Sequence, residues 1–488
     1  MGDDDRTIPK LEKVAEQNKQ RAQEERIEST QESEDAPTAQ SLDGWLALVD
    51  GEKARDVWFQ SMIPFLMAGF GSIGAGLVVH YAQNTKLVRA IPQFLSIAPP
   101  IQGMKGNLDL TLTSRLTTMA HKGSLKSENI VHIFLKNISL VQAQSIVLSI
   151  FMGFFCFLLD LIKRIPYGCP APVSEFLLLS AVTIATMMFS GLLMSCTIIM
   201  MIMYSTKKKI NPDNIATPLS ASFGDLLTIT TLVSLGAMLF SLGKFQTFHS
   251  FAVIIGSILL MPFLMYIATQ DESSLRAVKT QWPTLVLACI FSSGAGFVQE
   301  YSFRRFPEFT VYFPLIAGIC GNRAALHASR ISSFLMVKSY NPIKFRVRLN
   351  PIKYYLHKDN ESQAARLLLF TCIPFQLVFL LTSHGLAEVV GTPLTLKWPF
   401  LIGYILIVFI QVGVLLYICQ LVVTFLWSSG IDPDLHSIPI VTSIGDLLAT
   451  FLLASLYWFF AHTTIDVVHV EQSFGKANVT CEGGYYEN

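Results

Sequence analysis

The sequence predicts an all-α membrane protein in which eleven transmembrane helices form two five-helix repeats, parallel in orientation and joined by a linker helix. Three observations carry this reading: an apolar balance too large for a soluble core, a ladder of long apolar segments, and short motifs that recur in the same order in each half. Of 488 residues, 51% are hydrophobic and only 15% are charged. A soluble domain of this length could not hide so much apolar surface, so the bilayer is the expected solvent.

The net charge of +1 conceals an asymmetry, because residues 1–54 hold 14 of the 35 acidic residues and 7 of the 36 basic ones. That segment is polar and poor in aromatics, and reads as a disordered acidic cytoplasmic tail. No basic start followed by a short apolar core and a cleavage site opens the chain, so the first span is expected to do the targeting. Arg6 stands where myristoylation would want Ser or Thr. The eight cysteines are scattered singly, mostly in apolar runs, and read as packing residues rather than a disulfide framework or metal site.

A bilayer-crossing helix needs roughly 20 mostly apolar residues. Nine stretches meet or approach this: 57–80, 139–159, 176–203, 226–243, 249–268, 282–299, 367–383, 398–427 and 447–461. Two more, near 91–118 and 311–337, are interrupted by Pro99, Pro100, Gly103 and Gly106 and by Pro314, Gly318 and Gly321, and read as broken membrane helices. Lys and Arg are more frequent in the loops that lie inside if the amino terminus is cytoplasmic, which sets the expected orientation and leaves 463–488 as a short extracytoplasmic tail.

The internal repeat is the sharpest signal. INPDNIATPLSASFGDLL at 210–227 and IDPDLHSIPIVTSIGDLL at 431–448 agree at nine of 18 positions. The two broken segments echo each other through Gly103/Gly318, Gly106/Gly321, Asn107/Asn322, Ser114/Ser329 and Arg115/Arg330, and Gly74-Ala75-Gly76 returns as Gly294-Ala295-Gly296. The repeats are therefore placed at 55–244 and 273–462, with a linker helix in 245–272. Five spans per repeat would invert the second copy, and the linker crossing restores its direction, which predicts a pseudo-twofold axis along the membrane normal and a dimer within one chain.

Asp225 and Asp446 each follow a glycine at the predicted start of an equivalent span. A membrane carboxylate costs roughly 2.5–3.5 kcal/mol on insertion scales and is usually kept for a partner, an ion or a pathway. Meeting at the pseudo-axis, the two would suit a hard cation such as Mg²⁺, which takes oxygen ligands and sheds water reluctantly. The plainer alternative is that each caps its helix at the membrane surface. Asn107 and Asn322, with Gly106, Gly321, Ser222 and Ser443, read as pore-lining, against interhelical hydrogen bonding as the alternative. Asn107, Thr111, Ser114 and Arg115 share a polar helical face. Asp213 and Asp434, in Pro-Asp turns, are expected to start the following helices, with a cation vestibule as their secondary role.

These motifs resemble the MgtE-type magnesium channels and, more closely, the animal solute carrier family 41. The likeness lies in GMKGNLDLTLTSRL (103–116), NPDNIATPLSASFGDL (211–226), GNRAALHASRIS (321–332) and DPDLHSIPIVTSIGDL (432–447). It implies Mg²⁺ permeation or Na⁺-coupled Mg²⁺ efflux, Asp225 and Asp446 as ion-binding carboxylates, Asn107 and Asn322 as pore-motif residues, and no resident cofactor. The plasma membrane is the expected host, with the mitochondrial inner membrane as the alternative. Two departures from the family pattern stand out: residues 1–54 cannot encode the large cytoplasmic Mg²⁺-sensing domains of the prokaryotic relatives, and Arg323 and His327 replace apolar counterparts in the second motif. The competing readings are a carrier of an organic solute, a non-transporting sensor or scaffold, and an intramembrane aspartyl protease built on the two Gly-Asp pairs.

Overall fold

The computed structural model describes residues 54–463 apart from short internal stretches, the longest at 165–172 and 339–349, together with the pairs 478–479 and 485–486. Residues 1–53 of the acidic tail expected at 1–54 and most of the tail expected at 463–488 lie outside the described residues.

Fourteen helices make up the described fold: α1 (Ala54–Ala82), α2 (Lys86–Ala90), α3 (Phe94–His121), α4 (Ile130–Arg164), α5 (Val173–Lys208), α6 (Pro212–Ser241), α7 (Gln246–Ala268), α8 (Glu272–Thr280), α9 (Trp282–Arg305), α10 (Phe309–Lys338), α11 (Pro351–Leu356), α12 (Asn360–Val389), α13 (Trp398–Ser428) and α14 (Pro433–Ala461). A two-residue pairing of Asn478 with Tyr486 and Val479 with Tyr485 is the strand structure among the described residues. The protein is an integral membrane protein, since ten of these helices are long and apolar enough to cross a bilayer.

The sequence reading expected eleven spans. The helix that falls short by composition is α3, which is 28 residues long and carries Lys105, Asp109 and Arg115. All three charges are buried in protein, so hydropathy, which measures fitness for lipid, misjudges this helix. At the other extreme, only 11% of the most apolar window of α7 is buried, against 94% for α10. Helix α7 therefore turns most of its surface outward, and α10 turns almost none.

Two expectations are corrected. The segments read as broken are continuous helices that hold Pro99, Pro100 and Pro314 within their second turns. Their glycines do not adopt left-handed backbone, which among the described glycines is confined to Gly243 and Gly430. The spans expected to open near Asp225 and Asp446 begin much earlier, at Pro212 and Pro433. A lipid-based scale missed these first turns because the polar residues there are buried against α3 and α10.

The chain marks those starts by the same chemistry twice. The side chains of Asn211 and Asp432 accept from the backbone N–H of Asp213 at 3.1 Å and of Asp434 at 2.9 Å, and each cap is followed by a proline whose missing N–H costs nothing there. Ahead of the second start, α13 ends on Gly430 at φ +70°, where Ile431 N–H bonds Leu426 O at 2.9 Å and Gly430 N–H bonds Trp427 O at 3.1 Å.

Within the first half α6 packs on α1, α3 and α5; within the second α14 packs on α9, α10 and α13. Between halves, α1 lies on α10 and α9 lies on α3, while α6 reaches α10 and α14 reaches α3. The cores follow the same exchange. Phe65 and Ile73 of α1 join the cluster built on Phe309, Tyr312, Phe379, Phe400 and Tyr457, whereas Leu285, Ala288 and Cys289 of α9 join the cluster of the first half.

Close helix approach at one of these contacts depends on Gly76, where an added Cβ would lie 2.7 Å from the Val311 carbonyl oxygen. Backbone cannot step aside as a side chain can, so Gly76→Ala is expected to cost about 1–3 kcal/mol, the usual range for overpacking. The control Gly385→Ala meets nothing within 4 Å and should leave thermal unfolding in detergent unchanged or slightly raised.

Candidate functional site

Because α6 and α14 start at matching caps, they carry Asp225 and Asp446 to matching depths in mid-helix. Both aspartates line one cavity of about 60 Å³ between the halves, walled by Gly103, Gly106 and Asn107 of α3, Gly318, Gly321 and Asn322 of α10, Ser292 and Gln299 of α9, and Thr442 of α14. That is room for a few waters or one partly hydrated small ion. The capping alternative for Asp225 and Asp446 is thereby overturned, because Asn211 and Asp432 hold that role.

Each carboxylate lies against the central helix of the opposite half. A Cβ added to Gly103 would meet Asp446 Oδ2 and Ser292 Oγ at 2.8 Å; one added to Gly318 would meet Ser72 Oγ at 2.7 Å and Asp225 Oδ2 at 3.5 Å. The first glycine of each Gly-x-x-Gly pair thus lets a carboxylate and a serine approach the backbone. The second glycine, Gly106 or Gly321, faces open space, with nothing within 4 Å of an added Cβ.

Ser72 and Ser292 are among the residues that sequence reasoning missed. They sit two residues before Gly74 and Gly294, in the weak third echo, and both hydroxyls are buried without a hydrogen-bond partner. The Thr442 hydroxyl has two acceptors within reach of its single proton, the Asn107 side-chain oxygen and Ile438 O at 2.8 Å. Thr442, and not the expected Ser443, forms the wall at that level; Ser443 donates to Ile440 O at 3.0 Å on its own helix. Thr442, four residues before Asp446, is offset from it by about 40° around the helix, whereas Ser443, three residues before, is offset by about 60° in the opposite sense, away from the cavity. The side chain of Ser222 lies outside the described residues.

Past the cavity, α3 and α10 carry hydroxyls that enclose Asp213 and Asp434. Asp213 accepts from Thr117 and Ser329 at 2.7 Å and from Ser333 at 3.2 Å. Asp434 accepts from Ser114 at 3.0 Å, Thr118 at 2.6 Å, and Ser332. Each takes one hydroxyl from its own half and two from the other. His121 Nδ1 stands 3.8 Å from Asp213 Oδ2. These aspartates start their helices as expected, and their side chains tie the two halves together one turn beyond the end of the cavity wall at Leu110.

The other polar positions turn away from the cavity. Arg115 donates to Asn137 and, at 3.2 Å, to Ser274; Arg330 donates to Asn214 at 3.2 Å. Arg323 lies 4.8 Å over the Phe65 ring, with Phe375 on another side at 5.5 Å, and donates to Ile319 O at 3.1 Å. His327 pairs with the Tyr354 hydroxyl at 2.7 Å. The departures noted in the second motif therefore build core and put no positive charge on the cavity wall.

Among the described residues no cluster of three or more His, Cys, Asp or Glu side chains could hold a metal ion. The cavity lining offers two carboxylates, side-chain amides and hydroxyls, oxygen groups of the kind a hard cation takes.

The MgtE family model, described as a divalent cation transporter, matches this chain twice, over residues 98–235 and 313–456. The chain belongs to the MgtE family. Solute carrier family 41 member 3 from Mus musculus is 32% identical over 414 residues, 83% of either chain. Solute carrier family 41 member 2 from Homo sapiens is 32% identical over 408 residues, 82% of this chain and 70% of the relative, and the Gallus gallus member 2 is 33% identical over 412 residues, 83% and 70%. No solved structure matches. MgtE proteins are transporters and not enzymes, which removes the protease reading.

The hydroxyl cage gives a stability prediction. Asp434→Ala leaves the Ser114, Thr118 and Ser332 hydroxyls without their acceptor, a loss of about 1–3 kcal/mol or more for buried donors. Asp434→Asn, which keeps an acceptor, should lose less. Thermal unfolding of both variants in detergent checks the order.

Proposed function

We propose that this MgtE-family protein moves Mg²⁺ through the cavity between its halves, with Asp225 and Asp446 as the carboxylates that receive the ion. The supporting observation is that two aspartates from corresponding helices line one small cavity, each laid across a glycine of the other half. Unoccupied, the pair faces like charge with like charge in a poorly solvated place; a divalent cation between them relieves the repulsion. Asn107 and Asn322 offer amide oxygens beside it, and Ser72 and Ser292 hold hydroxyls close by. Water fills the remaining positions, which keeps the ion exchangeable.

In this reading α1, α3, α4, α5 and α6 form one repeat, α9, α10, α12, α13 and α14 the other, and α7 is the linker crossing. All eleven cross the bilayer, α3 inside the protein, and the repeats lie parallel about a pseudo-twofold axis, so that one chain works as a dimer of halves. The recurring helix contacts, α1 on α10 as α9 on α3 and α6 on α10 as α14 on α3, support it. An organic-solute carrier is disfavoured by volume, since pockets for such ligands run to several hundred Å³ and this cavity holds about 60 Å³. The expected host is the plasma membrane.

Purified protein in liposomes loaded with a Mg²⁺ indicator tests the proposal. Asp225→Asn and Asp446→Asn should each cut Mg²⁺ flux at least about tenfold with expression intact, and unchanged flux refutes the paired site. Gly103→Ala, which crowds Asp446 and Ser292, should slow flux where Gly256→Ala on α7, meeting nothing within 4 Å, does not. An opposing Na⁺ gradient that accelerates flux identifies exchange; indifference to it identifies a channel.

A further inference from the structure

Lys105 and Asp109 have no part in the site described so far. They form an ion pair one helical turn apart on α3, with 1% and 0% of their side chains exposed. Beyond that pair, neither the ammonium nor either carboxylate oxygen has a hydrogen-bond partner. Burying two charges with so little compensation is costly, and well-packed apolar residues are often at least as stable in such a place. The second half shows that the fold does without them: at the positions matching through Gly103/Gly318 it has Cys320 and Ala324, both fully buried.

The pair stands directly behind the cavity wall. Lys105 lies between Gly103 and the cavity-lining Gly106 and Asn107. A Cβ added to Gly224, the residue before Asp225, would come 3.1 Å from Asp109 Oδ2, and one added to Gly191 would come 3.6 Å from Lys105 Cε. Lys105 attracts the Asp225 carboxylate, while Asp109 and Asp446 repel it.

We propose that Lys105 is a tethered cation that competes with the transported ion for Asp225, and that Asp109 is the seat it occupies while the ion is bound. When the ion leaves, the flexible lysine stem swings the ammonium toward Asp225, so the emptied site is not left as facing bare carboxylates. The competition holds affinity down and favours release. The inference rests on Asp225 as an ion-binding carboxylate and assigns Lys105 and Asp109 as positioning residues for it.

The experiment titrates Mg²⁺ into purified full-length protein in detergent, reading affinity by calorimetry and by Mg²⁺-dependent thermal stabilisation. Lys105→Met removes the competitor and should tighten Mg²⁺ binding about tenfold while slowing flux in liposomes; Asp109→Asn removes the seat and should weaken binding about tenfold. Lys105→Gln should act in the same direction as Lys105→Met and serves if the methionine variant does not fold. The double variant Lys105→Met/Asp109→Asn should bind as tightly as Lys105→Met alone, because without the lysine its seat is irrelevant. Shifts of the same sign in both single variants, as a purely structural ion pair would give, overturn the inference, as does a double variant that returns to wild-type affinity by simple addition of charge effects. Asp225→Asn in the same titration separates the two claims. If it binds Mg²⁺ like wild type, the paired-carboxylate reading fails and this inference with it; if it loses binding while the lysine and aspartate variants miss their expected signs, only this inference falls.

Discussion

A charged or hydroxyl-bearing side chain in mid-membrane must be met by protein or water, because lipid offers it nothing. In this molecule the meeting takes place between halves. Asp225 lies beside α10, Asp446 beside α3, and Asp213 and Asp434 each draw two of three hydroxyl donors from the opposite half. The exchange of α1 and α9 between the two apolar cores serves the same end, since it brings α3 and α10 close enough for those contacts. Packing and polar satisfaction thus depend on one arrangement.

That arrangement also sorts the helices by environment. The most polar ones, α3 and α10, are enclosed, and the most apolar, α7 and α13, expose large faces with residues such as Phe263, Leu259, Ile402 and Phe425 turned outward. The order is inverted relative to a soluble protein, as expected where the surrounding solvent is hydrocarbon.

Much of this could be read from residues alone. The apolar segments announced a helical membrane protein, and the recurrence of Gly-Asp at 224–225 and 445–446 singled out the two carboxylates that line the cavity. The failures share a cause. A hydropathy window judges each segment against lipid, so it cut α6 and α14 short where their first turns are wrapped in protein, and it undervalued α3 for charges that never meet lipid. Pro99, Pro100 and Pro314 looked like breaks, yet each lies inside a continuous helix whose surroundings are protein. Thr442 displaced Ser443 through helical phase, a matter of 100° per residue that motif alignment ignores. Lys105 and Asp109 were visible at a spacing of four, yet nothing in the residues told that both were enclosed, with Asp109 against Gly224.

The hydroxyl cage around Asp213 and Asp434 bears on how the two copies have aged. Ser114 matches Ser329, and Thr117 and Thr118 match Ser332 and Ser333, so every donor position carries a hydroxyl in both halves. Lys105 and Cys320, which serve no shared acceptor, have parted company. A substitution in the cage leaves an orphan in the other copy as well as its own, which makes the two halves mutual guardians of each other's ancestry. Divergence is free only where one half can change without the other noticing.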